Sequence, residues 1–282
     1  MKKLLLFTLL LAFSFSMNAQ VTTPQPSPFS KVEQKVGLTD ITIEYSRPGV
    51  KDRKIFGGLE AYDKMWRTGA NKNTIITFSD PITIGGNKVP AGSYAIFTKP
   101  GESLWEVYLY SDTENWGVPQ EWDESKVAAI AKVQSHKLPF NVETLSIDIN
   151  NIRNGSATLD IIWADTYIAV PFTVPTDEKV LTSINDALNG NPTAQDYYAA
   201  SVYYLQEGKD MKQAKEWIDK AMSMTEKPAF WQLRQQSLIY AKAGDKDGAI
   251  ALAKKSLAGA KEAGNNQYVK FNEESLKEWE AN

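Results

Sequence analysis

The sequence predicts a β-rich N-terminal domain, an antiparallel sandwich or barrel, followed by an all-α helical domain. Three observations carry this. Apolar residues recur with a period of two from Val32 to Val174, glycine, proline and asparagine punctuate that half, and from Asp177 onward the period becomes helical.

Taken in order, Lys2 and Lys3 precede an apolar run from Leu4 to Phe15 and a small-residue stretch ending at Asn18 and Ala19. That is the order of a secretory signal peptide over 1–19, and a membrane anchor is the competing reading. The expectation is a soluble exported protein, periplasmic or extracellular, with no transmembrane segment in its mature chain. Residues 20–28, with Pro24, Pro26 and Pro28, read as an extended lead-in. The β domain is expected over 29–175. Its strands are signalled by Val32, Gln34 and Val36, by Ile41, Ile43 and Tyr45, and then by Thr74–Ser79. Ile82–Ile84 and Lys88–Val89 flank a Gly85-Gly86-Asn87 turn, and Ser93–Thr98 and Leu104–Tyr110 follow. Asp123–Lys132 reads as the one helical interlude. Val142–Asn150 and Ser156–Ala164 flank Asn154-Gly155, a hairpin signal, and Tyr167–Val174 completes the set.

The helical domain is expected over 178–282. Val180, Ile184 and Leu188 lie one turn apart, and Asn189-Gly190 supplies a stop. Tyr203-Tyr204-Leu205-Gln206-Glu207-Gly208 leads to Ala214, Trp217, Ile218 and Ala221. Leu238-Ile239-Tyr240-Ala241-Lys242-Ala243-Gly244 leads to Ala249, Leu252, Ala253 and Leu257, and a last helix surrounds Phe271–Trp279. Ala214 and Ala249 are 35 positions apart, and this pattern resembles the tetratricopeptide repeat. A small residue there lets two helices approach closely. Such a short array is either a protein-binding groove, with an envelope protein as partner, or a structural cap.

Composition removes several chemistries. With no cysteine and one histidine, His136, no disulfide, thiolate nucleophile or multi-histidine metal site can form; no cofactor and no metal is expected. Without Lys2 and Lys3 the count is 29 basic against 34 acidic residues, which disfavours nucleic acid. Ser135 and His136 are adjacent and diverge on any regular backbone, and no Gly-x-Ser-x-Gly elbow is present. Asp245-Lys246-Asp247-Gly248 lacks the later glutamate of a calcium loop.

Two local charge excesses remain. From Tyr45 to Asn73, seven basic residues face three acids. Guanidinium forks in such a field suit carboxylate or phosphate. The candidate ligand-binding residues are Arg47, Arg53, Trp66, Arg67, Asn71, Tyr94 and Trp116; the alternative is that Arg47 or Arg67 serves a structural ion pair with Glu44 or Glu106. From Glu102 to Lys126, seven acids face one base around Trp116 and Trp122. Glu114, Glu121, Asp123 and Glu124 would supply the acid–base groups of a carbohydrate-active enzyme, unless both tryptophans are loop anchors.

Four stretches carry a resemblance. They are Tyr45-Ser46-Arg47-Pro48 with Lys51, Arg53, Ile55, Phe56 and Gly57; Trp66-Arg67-Thr68-Gly69-Ala70-Asn71; Pro90–Thr98; and Asn115-Trp116-Gly117. In order and spacing the region from about Gln25 to Val174 resembles the bacterial domain of unknown function 2911 (DUF2911). The resemblance implies secreted or periplasmic proteins with a β-rich domain and no established activity. Asp63 stands where that pattern suggests glycine, and the acidic Asn115–Glu124 stretch is this chain's own. The expected function is a non-catalytic binding module for an anionic or carbohydrate ligand, or for a protein; the alternative is the carboxylate-dependent enzyme.

Overall fold

The computed structural model describes residues 23–281, so the expected signal peptide lies outside the described residues. The chain divides into two compact units, with the division between Thr176 and Asp177.

The first unit is an antiparallel β-sandwich. Its large sheet has six strands in the order β1-β2-β3-β6-β7-β8, formed by β1 (Phe29–Val36), β2 (Thr39–Ser46), β3 (Ile75–Phe78), β6 (Gly92–Lys99), β7 (Leu104–Tyr110) and β8 (Val127–Gln134). The small sheet runs β5-β4-β10-β9, from β4 (Ile82–Ile84), β5 (Asn87–Val89), β9 (His136–Asn150) and β10 (Ser156–Thr173). The alternation decides which sides meet. Ile41, Ile43, Ile76, Ile96, Val107 and Leu109 of the large sheet join Leu145, Ile147, Ile149, Leu159, Ile161 and Phe172 of the small one in a single core. Tyr45 crosses this core, and its hydroxyl oxygen accepts the Ile147 N–H at 2.9 Å.

Two tight turns use glycine as the backbone demands. Gly85 and Gly86 have φ of +57° and +81°, the hand that a two-residue hairpin needs. Gly37, at φ +55°, lets the β1–β2 turn lie against Thr176; a Cβ there would stand 1.9 Å from Thr176 Oγ1 and 2.1 Å from Asn154 O. The Thr176 hydroxyl in turn accepts the Leu38 N–H at 3.4 Å.

Three expectations are corrected. Asp123–Lys132 is not a helix: only a 3₁₀ turn over Glu124–Lys126 forms, capped by the Asp123 carboxylate, and β8 follows. Ala129 and Ala131 alternate inward and the strand pairs with β7, so tertiary pairing overrides the helical preference of an alanine-rich segment. His136 therefore opens β9 rather than following a helix, exposed beside the Tyr167 ring. The hairpin expected at Asn154-Gly155 does form: β9 and β10 pair antiparallel across residues 151–155, with Asn151 rather than Gly155 at positive φ. The two segments expected at Ser156–Ala164 and Tyr167–Val174 form one strand, bulged around Ala164 at φ +52°.

The outer face of the large sheet carries a second, smaller apolar cluster, in which Trp122 packs against Phe97, Tyr108 and Tyr110. The loop after β7 thus lies across that face.

The second unit holds α1 (Thr176–Asn189), which starts one residue before the division, then α2 (Ala194–Gln206), α3 (Met211–Ser223), α4 (Phe230–Lys242), α5 (Lys246–Glu262) and α6 (Asn266–Ala281). Thr193 and Asp196 form a capping box for α2, and Asp210 and Asp245 cap α3 and α5. Glycines 208, 244 and 264 close α2, α4 and α5 in the left-handed conformation. Ala214 and Ala249 are both fully buried, as a close helix approach requires. Asp219 organises the middle of the unit, accepting from Tyr240 Oη at 2.6 Å, Gln236 Nε2 at 2.9 Å and Lys215 Nζ at 3.2 Å. Among the described residues, no helix is long and apolar enough to cross a membrane.

Candidate functional site

The segment between β2 and β3 is long and irregular, and its backbone is unusual. Lys51, Asp52, Asp63, Thr68 and Asn71 all have φ between +48° and +59°. A left-handed conformation disfavours residues with a Cβ, and a buried β-branched threonine most of all. Thr68 is held there by its surroundings: its hydroxyl bonds Thr98 Oγ1 at 3.0 Å and its carbonyl accepts from Thr74 Oγ1 at 2.7 Å. Such over-determined strain clusters at functional sites. Asp63, at φ +58°, takes the conformation that glycine would hold, and its N–H reaches Pro100 O at 2.7 Å.

This segment shapes a depression of about 310 Å³ lined by Ser27, Lys51, Arg53, Glu60, Arg67 and Trp163, among others. Arg53 is oriented by two backbone carbonyls, Val50 O at 2.9 Å from Nε and Gly49 O at 2.5 Å from Nη2. Arg67 Nη1 donates to Asn71 O at 2.9 Å. Both guanidinia act on Glu60, a half-buried carboxylate. Burial pushes the Glu60 carboxyl above the ordinary range, against the pull of Arg67 and then Arg53. No ion pair within 4 Å ties Glu60 among the described residues. Trp163, 1% exposed, contributes to the lining, and its indole N–H is buried without a partner. The lining carries three cations and one anion, a net field for a negatively charged group.

The other sequence candidates are placed elsewhere. Trp66 is 4% exposed, stacked on Trp163 at 5.7 Å and 17°, with Phe56 and Trp105 at its edges. Tyr94 is a core residue whose hydroxyl donates to Pro90 O at 2.9 Å. Arg47 serves as a structural strut: Nε donates to Leu145 O at 2.8 Å, and the guanidinium lies 6.0 Å from the Tyr45 ring. Glu106 is taken by Lys132 and Lys99 rather than by an arginine. Asn71 is a cross-tie, donating from Nδ2 to Ser27 O and Ser46 Oγ at 3.2 Å each. Trp116 is 74% exposed and is not part of this lining. Gly117, the next residue, lies over Arg67, since a Cβ there would stand 3.3 Å from Nη1.

In the acidic loop, two carboxylates are already engaged by neighbours. Asp123 Oδ1 is occupied by Ser125 N and Oγ at 2.9 and 2.6 Å, and those bonds hold its carboxyl below the ordinary range. Asp112 is lowered likewise by Lys126. A general acid needs the opposite shift. Glu60, which has that shift, was hidden in the sequence because three acids among seven bases read only as an offset.

The helical unit has its own depression of about 500 Å³, lined by Leu238, Ala241, Lys242, Lys246, Ser275 and Trp279 among others.

Comparison with curated proteins and comparison with solved structures each gave no match. A family model described as a protein of unknown function (DUF2911) matches residues 27–172, which is 146 of the 282 residues and covers nearly all of the sandwich with its strained segment. The chain belongs to the DUF2911 family.

Proposed function

We propose that the sandwich is a non-catalytic binding module for a small anionic ligand, in an exported envelope protein. The observation that carries this reading is the meeting of Arg53 and Arg67 around Glu60 in one depression of a strained segment. A carboxylate, phosphate or sulfate group entering there would take the guanidinium N–H groups that the backbone leaves free, displacing the influence of Glu60. An envelope protein as partner of the helical unit is part of the same proposal, supported by the depression beside Trp279.

The test is calorimetric titration of the full chain with sulfate and with phosphate. Arg67→Ala should weaken binding about 10- to 100-fold, the worth of a charge-assisted hydrogen bond. Arg53→Gln, at an exposed position, should weaken it in the same direction while leaving the fold intact. Equal affinity in wild type and both variants refutes the anion site. For the partner, identical proteins recovered by the full chain and by a form lacking 178–282 refute recruitment by the helices.

A further inference from the structure

Asn73 lies two residues before β3 and is 2% exposed. Its Oδ1 accepts the Gly117 N–H at 2.9 Å. Only the amide oxygen can do this, so the bond fixes which end of the side chain points where. The Nδ2 group is left with two N–H donors and no partner among the described residues. Buried amide donors are almost always paired, and one that is orphaned inside the wall of a depression calls for an acceptor arriving from outside.

That depression is about 180 Å³ and is lined by Phe29, Glu44, Ser46, Lys72, Asn73 and Ile75, over Tyr45. Strand register explains the grouping. Phe29 pairs with Ser46 across β1–β2 and Glu44 pairs with Ile75 across β2–β3, so these side chains share the outer face of the large sheet. Phe29 is 66% exposed. The site is separate from the arginine-lined one. The two linings share no residue, and Asn71 ties Ser27 of one to Ser46 of the other.

We propose that this depression binds one ring of a neutral saccharide. Its chemistry is balanced in charge, with Glu44 against Lys72, which favours a neutral ligand over an ion. It offers unpaired donors at Asn73 Nδ2, an acceptor carboxylate at Glu44 and an apolar ring at Phe29. A sugar ring has the matching set: hydroxyl oxygens to accept from Asn73, hydroxyl hydrogens to donate to Glu44, and a C–H face for Phe29. The volume lies below the roughly 300–1,000 Å³ of sites for larger organic ligands, so it admits a single ring. Trp116, next in the chain to the Gly117 that fixes Asn73, is the most exposed of the large apolar side chains on the described surface.

The experiment is a titration of the full chain, by protein NMR or calorimetry, with glucose, galactose, mannose and N-acetylglucosamine and with cellobiose and chitobiose. Binding of at least one probe is expected. Asn73→Asp keeps an oxygen for the Gly117 N–H and removes the donors; Phe29→Ala removes an exposed ring without touching the core. Each should weaken that binding about ten-fold, and added sulfate should not compete with it. Failure of every probe to bind overturns the proposal, and so does binding that Phe29→Ala leaves intact. Competition between sulfate and the saccharide also overturns it, because the two sites would then be one. The outcome is independent of sulfate binding, so either site can fail alone.

Discussion

Replacing Trp66 by alanine tests whether the aromatic residue of the Trp66-Arg67 pair belongs to the core or to a ligand. Trp66 is 4% exposed, and a tryptophan buries about 150–250 Å² on leaving water. At about 25 cal/mol per Å² the transfer is worth about 4–6 kcal/mol as an upper bound, since the unfolded chain already hides part of that area. The ring also stacks on Trp163 at 5.7 Å and meets Phe56 at 5.9 Å and Trp105 at 6.4 Å. These neighbours are themselves large and rigid, so they cannot close over the space. The expected loss is about 3–5 kcal/mol, the range for emptying a core tryptophan site. Urea denaturation followed by far-ultraviolet circular dichroism measures it, because a domain with about 5–15 kcal/mol in hand stays folded enough for a baseline. Trp116→Ala, at a 74% exposed position, should stay within about 0.5 kcal/mol of wild type. A loss below about 1 kcal/mol for Trp66→Ala would refute the core assignment and return Trp66 to the ligand surface.

Glu60→Gln should tighten sulfate binding at neutral pH, and wild-type affinity should rise as pH falls through the raised Glu60 pKa, since the neutral acid no longer competes for the guanidinia. Calorimetry of both proteins at acid and neutral pH checks this; a pH profile that Glu60→Gln leaves unchanged contradicts it. The same group links pH to stability. Its folded pKa is raised, so its favourable contribution is complete below the unfolded pKa and is lost as pH rises through the folded value, and Glu60→Gln should flatten that part of the thermal stability profile. Gly37→Ala places a Cβ 1.9 Å from Thr176 Oγ1 in a left-handed residue, and about 2–5 kcal/mol should be lost in urea titration. A loss below about 1 kcal/mol would mean that the turn moves freely away from Thr176.

The period of two gave the sandwich because each strand of the core has one dry side, and Ile41, Ile43 and Tyr45 state that side by their spacing. β8 escaped detection because its inward positions are alanines, Ala129 and Ala131, which favour helix locally and become strand only through pairing with β7. In the candidate site, local charge was enough to find Arg53 and Arg67. It was not enough for Trp66, which turns inward because its backbone bonds Thr98 in both directions, at 2.7 and 2.9 Å, a contact 32 positions away. Asn73 carries no charge and belongs to no motif; only the buried, half-used amide marks it. Asp63 read as a departure from glycine, yet it adopts glycine's backbone, so the geometry of that turn survives the change.

The contact between the first turn and Thr176 also bears on when the sandwich can form. Leu38 and Thr176 are 138 positions apart, and the Tyr45 hydroxyl reaches Ile147 across 102. Closing loops of that length precedes the reward from the contacts they make, so folding of this domain should be slow for its size. The opening hairpin, β1 with β2, can zip locally but has no opposite sheet until β9 and β10 exist. A growing or threading chain therefore stays open until nearly its first 176 residues are available together, and the last of them, Thr176, seats against the turn made at Gly37.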